Sequence, residues 1–445
     1  MKTQATAAAS AALDDVGMTP FLKRVTVFSC GGPFLDGYVL ALIGVALTQM
    51  SGQLELSGRW VAAIGAAALL GILVGAVVGG WITDKVGRRF MFTLDIAAIV
   101  ACSVLSALVD SPLWITVLRF ALGFFVGADY PIATSLIAEF TPKRYRAVSM
   151  GSVSAAWYVG ATTAALVGFG LFSVAEGWRW MLASAALPGV ALLIGRWGIP
   201  ESPRWLARHG RRAEAESIVR GLFGTDVVLE AEPEHQQLTW PGLFSQGYCR
   251  RVVFVAIMIS CQVVPMFAIY TFGPAIMEAF GLASGHQSIL GETVISALFL
   301  IGTVPAMFWL GRFGRRPVLI GSLAVMTAAL AVLALFSGAP VGVIIVAFGL
   351  YAFFAGGPGI LQWLYPNELF PTAVRASAVG LALGVSRIAT IVSTYILPLA
   401  LGRFGIGPVM GAMALLTAVG LAASARLAPE TNGRSLVDAA SLGVR

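Results

Sequence analysis

The sequence predicts an all-α membrane protein with twelve transmembrane helices in two related six-helix halves. The first observation is composition, because the 445 residues are 58% hydrophobic and only 11% charged, whereas a soluble domain carries about 25% charged residues. The second is length, because apolar runs of about 20 residues recur along the chain, and each can cross a hydrocarbon core of about 30 Å. The third is an internal repeat that relates the two halves.

The apolar runs have the length of membrane-spanning helices, and we count twelve of them. Their expected starts are Val25, Val61, Phe90, Leu113, Val148, Met181, Val252, Thr293, Val318, Val341, Ala376 and Pro408. Gly71, Gly75 and Gly79 recur at every fourth residue of the second span. This spacing predicts a face on which another helix approaches closely.

Lys and Arg concentrate in alternate loops, at 21–24, 83–89, 141–146, 201–251 and 311–316, and in the C-terminal tail. The positive-inside rule therefore predicts a multi-pass protein of the cytoplasmic membrane with both termini in the cytoplasm. The net charge of +7 follows from this loop bias, so no nucleic-acid partner is expected.

The first 20 residues lack the apolar core of a cleavable signal. The four cysteines have no metal-site spacing, and no structural disulfide is expected.

Two segments of the chain repeat a skeleton of Glu, Pro, Arg and Gly at a constant offset of 229 residues. They are "AEFTPKRYRAVSMG" (138–151) and "NELFPTAVRASAVG" (367–380). A second pair, "DKVGRRF" and "GRFGRRP", matches at an offset of 227. The repeat predicts five regions. They are a cytoplasmic tail (1–24), a six-helix bundle (25–199), a cytoplasmic linker with short helices (200–250), a second six-helix bundle (251–427) and a cytoplasmic tail (428–445).

Four motifs carry a resemblance to a known family. "GGWITDKVGRRF" resembles the loop 2–3 signature of the major facilitator superfamily, and its relative "GRFGRRP" stands in the second half. "PESPRWL" (200–206) and "PETNGRSL" (429–436) resemble the signatures that close each half of the sugar-porter branch, which also contains organic-ion and niacin transporters. The resemblance covers residues 25–437. It implies two bundles around a central cavity that opens alternately to each side, a small-molecule substrate, a monomer and no cofactor or metal.

Charged residues at the cytoplasmic ends of the spans are candidates for a clasp that latches the outward-facing state. These gating candidates are Asp84, Arg88, Arg89, Glu139, Arg146, Glu368 and Arg375. Gly311 replaces Asp84 in the second copy of the motif, so the clasp is expected to be asymmetric. The alternative is that these charges only set the topology.

Ionisable residues inside spans are costly and are therefore functional candidates. Asp36, Asp129 and Arg119 are the candidates for proton coupling, because a buried carboxylate near an arginine can titrate within reach of physiological pH. Proton symporters of the sugar-porter type pair a first-span Asp with a fourth-span Arg that Arg119 matches. Their Asp follows the Gly-Tyr pair, where this chain has Val39, whereas Asp36 precedes that pair as in aromatic-acid and niacin-type relatives. Coupling through Asp36, coupling through Asp129 and facilitated diffusion stay open.

Other charges lie nearer to the ends of their spans. We expect Asp95 to reach the cytoplasmic interface, and Arg196 and Glu278 to pair or to extend toward the headgroups. A membrane enzyme would need a nucleophile–base set or metal ligands in the spans and is not expected, because the three histidines, His209, His235 and His286, all lie in predicted loops.

Arg387 lies near the middle of the eleventh span, and the offset of 229 pairs it with Tyr158 of the fifth span. A guanidinium at this depth must face a cavity or a buried acid, because exposure to lipid costs several kcal/mol. The fork of a guanidinium suits a carboxylate, and "GVSRIATI" resembles the eleventh-span stretch of organic-anion transporters, whose Arg binds the substrate's carboxylate. The remaining candidates for the substrate site are polar or aromatic. They are Trp157, Gln262, Phe267, Tyr270, Trp363 and Tyr365.

These residues predict proton-coupled uptake of a small organic acid, such as a niacin-like or benzoate-like carboxylate. A sugar or polyol is the first alternative: Gln262 and Trp363 match sugar porters, whereas Cys261 and Phe267 replace two of their polar residues. An organic-cation or drug transporter is the second. A structural role of Arg387, paired with a buried acid, also stays open, and a non-transporting receptor is not expected.

Overall fold

Long helices make up most of the described chain. The computed structural model describes residues 11–12, 19–140, 143–223, 227–228, 248–281, 286–370 and 372–432. Its helices are α1 (Pro20–Gln53), α2 (Gly58–Val86), α3 (Arg88–Leu108), α4 (Pro112–Phe140), α5 (Lys143–Leu171), α6 (Gly177–Ser184), α7 (Ala186–Arg196), α8 (Pro203–Arg208), α9 (Arg212–Phe223), α10 (Cys249–Ala279), α11 (His286–Arg312), α12 (Arg315–Leu335), α13 (Val341–Leu369), α14 (Thr372–Phe404) and α15 (Ile406–Leu427). Two short parallel strands, β1 (Ala11–Ala12) and β2 (Val227–Val228), pair the predicted N-terminal tail with the predicted linker.

Within the described residues, twelve segments are long and apolar enough to cross a membrane, which confirms the predicted count. The sixth of them, Gly177–Arg196, is divided into α6 and α7. The division follows from Pro188, which has no N–H to donate to the carbonyl of Ser184 one turn earlier. The short helices α8 and α9 lie in the first part of the predicted linker.

The two halves repeat one contact between a carboxylate and a helix N-terminus. Glu201 accepts hydrogen bonds from the backbone N–H groups of Arg88 at 3.0 Å and Arg89 at 3.1 Å, which begin α3. Glu430, 229 residues later, accepts the same bonds from the first two residues of α12, at 2.9 and 3.0 Å. Both carboxylates satisfy N–H groups that have no partner within their helix. We call the end of the molecule with these contacts the basic end, and the other the opposite end.

The glycine face of α2 packs directly against the backbone of α4. A Cβ atom on Gly71 would lie 2.1 Å from the carbonyl oxygen of Phe120, and one on Gly75 would lie 1.9 Å from that of Phe124. A Cβ on Gly79 would lie 2.4 Å from the Cβ of Ala128. Only glycine allows this approach, so the predicted close contact is confirmed.

The two bundles meet at the opposite end. The hydroxyl of Thr162 on α5 donates to the carbonyl of Ser296 on α11 at 3.1 Å, and the hydroxyl of Thr293 donates to the carbonyl of Ala165 at 3.3 Å. In the same layer, the backbone of α1 at Gly44 lies against the backbone of α10. We call this contact between the bundles the seam. Because the seam is packed, the central cavity is closed toward the opposite end.

Candidate functional site

A cavity lies between the two bundles, below the seam. Its lining comes from α5, α10, α13 and α14, and consists of Val153, Ser154, Trp157, Tyr158, Val263, Met266, Phe267, Gln362, Trp363 and Arg387. The cavity volume is about 30 Å³, which is room for roughly two water molecules. A larger guest therefore enters only when side chains or helices around the cavity move.

Arg387 is the charged residue of this lining. Its guanidinium carbon lies 5.5 Å from the centroid of the Phe267 ring, a cation–π distance. Tyr158 lies across the cavity on α5, so the two positions that the repeat equates line the same space from opposite bundles. The Tyr158 hydroxyl contacts the sulfur of Met266 at 3.7 Å.

The aromatic wall of the cavity is centred on Trp157. Its ring meets Tyr158, Phe267 and Tyr270 edge to face, with centroid distances of 5.4, 6.0 and 5.2 Å. Edge-to-face packing fixes the orientation of each ring. The wall therefore presents rigid apolar surface next to a single guanidinium.

The structure separates the predicted substrate residues into two groups. Arg387, Tyr158, Trp157, Phe267 and Trp363 line the cavity. The other three do not, and they are Gln262, Tyr270 and Tyr365.

Each residue outside the lining has another contact. Gln262 is buried and donates to the sulfur of Met266 at 3.5 Å. The ring of Tyr270 lies behind Trp157, in the seam. Tyr365 points toward the basic end, where its hydroxyl donates to the carbonyl of Pro429. Gln362 lines the cavity although the sequence did not single it out, and its position beside Trp363 was the available signal.

Asp95, Asp129 and Arg196 form a buried cluster inside the first bundle. Two nitrogens of Arg196 lie 3.3 Å from an oxygen of Asp95 and 3.3 Å from an oxygen of Asp129. All three side chains are at most 1% exposed. The expectation that Asp95 reaches the interface is wrong, because α7 brings Arg196 against the inner face of α3. Of the two alternatives given for Arg196, the structure confirms pairing with an acid rather than extension toward the headgroups.

Asp36 lies beside this cluster on α1. A Cβ atom on Gly32, one turn earlier, would lie 1.8 Å from an oxygen of Asp129. Asp36 is fully buried, and within the described residues neither of its oxygens has a hydrogen-bond partner. It interacts electrostatically with Asp129 and Arg196 in its own bundle and with Arg387 in the other. Asp36 therefore connects the buried cluster with the cavity.

Arg119 has a different environment from the one the sequence suggested. It is 2% exposed, and it donates to the carbonyl oxygen of Val39 at 2.9 Å. In the described part of the chain it forms no salt bridge, and the charges that act on Asp36 are those of Asp129, Arg196 and Arg387. The structure therefore does not bring Arg119 together with Asp36.

Glu292 is a buried carboxylate that the sequence analysis missed. It is 1% exposed and lies in the seam, where its side chain contacts the backbone at Gly273 on α10 and its Oε1 approaches Gly44 on α1. It was missed because it immediately precedes the predicted start of the eighth span. Pro274 leaves the carbonyl of Tyr270 without its helical donor, and this carbonyl also faces Gly44.

One gating candidate has defined contacts at the basic end. Glu368 accepts from Arg315 at 3.0 Å and from the hydroxyl of Thr431 at 2.5 Å, which ties α12 and α13 to the chain after α15. The main chains of Arg88 and Arg89 bind Glu201, as described above. The side chains of the other candidates lie outside the described part of the structure, and these are Asp84, Glu139, Arg146 and Arg375.

Comparison with known proteins identifies the family. A family model described as "Sugar (and other) transporter" matches residues 25–442. The chain belongs to this family. It is a multi-pass membrane protein and a secondary transporter of the major facilitator type, and members of the family are transporters rather than enzymes.

Two relatives match almost the whole chain. The chain is 50% identical over 432 residues to "Putative metabolite transport protein YaaU" of Escherichia coli strain K12, and the match covers 97% of each chain. It is 36% identical over 436 residues to "Inner membrane metabolite transport protein YgcS" of the same strain, with 97% of this chain and 96% of the relative covered.

The fold is that of solved sugar porters. The partially occluded inward-open conformation of the xylose transporter XylE from E. coli matches with a TM-score of 0.78. The match covers 94% of this chain and 100% of that chain, at 22% sequence identity. It shows the predicted fold, twelve helices in two six-helix bundles.

Proposed function

We propose that this transporter moves small organic acids together with protons, and that Arg387 binds the carboxylate of the substrate. The observation that carries the proposal is that the guanidinium of Arg387 lies in the lining of the central cavity, against an aromatic wall. A guanidinium can donate two parallel hydrogen bonds to one carboxylate. The rings of Trp157 and Phe267 suit a planar or apolar body. We therefore propose the organic-acid branch of the family for this chain.

The position of Asp36 between the cluster and Arg387 supports the proposed proton coupling. The three buried carboxylates of Asp36, Asp95 and Asp129 surround the single guanidinium of Arg196, so the acids of the cluster outnumber its cation. When a substrate carboxylate neutralises Arg387, Asp36 loses a cation that favoured its ionised form. Proton and anion then bind cooperatively, and linkage makes the effect reciprocal. This is the behaviour that symport requires.

The orientation of the chain gives the direction of opening. The positive-inside rule places the basic end in the cytoplasm. The packed seam then closes the cavity toward the outside, and the structure corresponds to an inward-facing or occluded state. Alternating access requires the seam to separate and the basic end to close.

A neutral sugar or polyol is the second candidate. One similar solved structure is that of a xylose transporter, and Ser154, Gln362 and Trp363 offer polar groups in the cavity. A sugar, however, needs many paired hydroxyl groups, because each unpaired buried polar group costs about 1–3 kcal/mol. The aromatic and aliphatic majority of the lining favours the acid.

Ligand binding to the purified protein, measured with counterflow in proteoliposomes, tests the proposal. The panel comprises small aromatic and aliphatic carboxylates, their neutral amides, xylose and glucose. Arg387→Lys keeps the charge but loses the fork, so we expect carboxylate affinity to fall by at least about tenfold, or about 1.4 kcal/mol. Amides should be unaffected. Arg403→Lys, at the exposed end of the same helix, is the matched control.

Two outcomes would contradict the acid assignment. One is binding of sugars but not of carboxylates by the parent protein. The other is an Arg387→Lys variant that is folded and binds carboxylates like the parent.

A further inference from the structure

Arg119 is a buried cation of the first bundle that has no counter-ion among the described residues. Its side chain is 2% exposed, and its Nη1 donates to the carbonyl oxygen of Val39 at 2.9 Å. Its Nε has no hydrogen-bond partner, and in the described structure no carboxylate forms a salt bridge with it. A neutral carbonyl accepts a hydrogen bond but cannot neutralise the charge.

A small cavity adjoins this guanidinium. It lies among α1, α3, α4 and α6, and its lining consists of Val39, Leu42, Ser103, Ser106, Arg119, Leu122, Leu182 and Ala185. Its volume is about 10 Å³, close to the space that one water-sized guest occupies. The lining combines one guanidinium and two serines with aliphatic side chains, and no lining residue is acidic.

Burial of an uncompensated charge is among the most costly arrangements in a protein, and a buried cation is normally paired. A water molecule satisfies a donor but leaves the charge. A monatomic anion satisfies the donor and neutralises the charge. Sulfate, phosphate and organic carboxylates are several times larger than the cavity, whereas a chloride ion, which is slightly larger than water, needs only a small shift of the aliphatic lining.

We infer that this cavity is a binding site for a small monovalent inorganic anion of the size of chloride, held by Arg119. The ion replaces the carboxylate that Arg119 lacks and ties α4 to α1 through the same guanidinium that binds Val39. The site is separate from the substrate cavity at Arg387, so the inference does not depend on the identity of the substrate. Because the ion binds the folded bundle, it stabilises that bundle by mass action.

Val39 provides a direct test, because its side chain lines the cavity and its carbonyl already contacts Arg119. Val39→Asp supplies an internal carboxylate at the position of the ion, whereas Val39→Asn adds a polar group of similar size without charge. The measurement is thermal unfolding of purified parent and variants, with sodium chloride titrated against sodium gluconate at constant ionic strength. We expect Tm to rise with chloride and to saturate in the parent. In Val39→Asp this dependence should disappear. Val39→Asn fills the same space without a charge, so it should also lose the dependence on chloride and be less stable than Val39→Asp.

A further variant separates this site from the substrate cavity. Arg387→Gln should keep the chloride dependence of the parent. If Arg387→Gln loses it, the anion binds at the central cavity, and the inference fails while the proposed function stands. If Tm of the parent is the same in chloride and gluconate, or if Val39→Asp keeps the full dependence, the site at Arg119 is overturned.

Bromide gives a readout that does not depend on variant folding. Crystals of the parent grown in bromide should show an anomalous peak beside Arg119. An ordered water there without anomalous signal would also overturn the inference.

Discussion

Arg387 on α14 lies over the ring of Phe267 on α10, with 5.5 Å between the guanidinium carbon and the ring centroid. This contact joins two helices of the second bundle at the cavity and directs the charge of Arg387 into it. Cation–π contacts contribute about 0.5–2 kcal/mol, depending on exposure. The position of Phe267 therefore matters for binding as well as for packing.

Phe267→Leu should weaken carboxylate binding by roughly 2- to 30-fold, because the guanidinium loses the ring that orients it. Equilibrium binding of an aromatic and an aliphatic carboxylate measures the effect, and the aromatic acid should lose more. Phe254→Leu is the matched control, since Phe254 packs against Tyr365 away from the cavity. Equal losses in both variants would indicate a general packing defect.

Arg196→Gln should destabilise the first bundle by about 3–5 kcal/mol, because it leaves the buried carboxylates of Asp95 and Asp129 without their cation. Thermal unfolding followed by tryptophan fluorescence measures this loss. Adding Asp95→Asn to Arg196→Gln should recover part of it, since one fewer acid is then unpaired. A double variant that is less stable than Arg196→Gln would argue against the electrostatic origin of the loss.

Asp36→Asn should abolish the accumulation of substrate that a pH gradient drives. It should not change the exchange of substrate across the membrane at equilibrium. The reason is that Asn cannot bind the coupling proton, whereas the fold around the buried side chain is retained. Proteoliposomes with an imposed gradient measure the first property, and counterflow measures the second. Asp129→Asn is assayed in parallel. Undiminished acid-driven accumulation in both variants would remove proton coupling through this cluster.

Glu292→Gln should favour the closed seam. The carboxylate lies between α10 and α1 with no described cation beside it, so an ionised Glu292 opposes closure and a neutral amide does not. Spin labels at the exposed positions Val174 and Phe336 report the separation of the bundles at the opposite end. In Glu292→Gln, the molecules with a short distance between the two labels should form the main population. The control Thr293→Val removes only neutral hydrogen bonds, the one across the seam to Ala165 and the one within α11 to Ile289, so it should instead loosen the seam.

Glu430 should make stability depend on pH at the basic end. Burial acts to raise its pKa, but the backbone N–H groups of residues 315, 316, 431 and 432 outweigh burial, so the pKa of Glu430 lies below its ordinary value. Its contribution is therefore complete above the unfolded pKa of about 4.3 and is lost as pH falls through the folded pKa. Glu430→Gln should lower Tm at pH 7 and flatten the decline below about pH 4.5. A parallel decline in parent and variant would contradict this.

The sequence by itself determined the class of the protein, the number of spans and the two-fold repeat. The apolar runs are long enough to cross a membrane, and the backbone N–H and C=O groups of a span in lipid must form their hydrogen bonds within a helix. The spacing of Gly71, Gly75 and Gly79 also predicted a contact, because i, i+4 neighbours share one helix face. The repeat paired Arg387 with Tyr158, and both residues line one cavity.

Only the tertiary structure decided which charged groups meet. Asp95 and Arg196 stand 101 residues apart in the chain, and nothing local shows that α7 carries the guanidinium to α3. Arg119 looked like the partner of an acid, yet in the described structure the acids pair with Arg196. For the same reason Glu292 in the seam was missed, and Tyr365, which was expected at the cavity, points toward the basic end instead. The depth of a residue along its helix follows from the sequence, but the direction it faces depends on which helices pack around it.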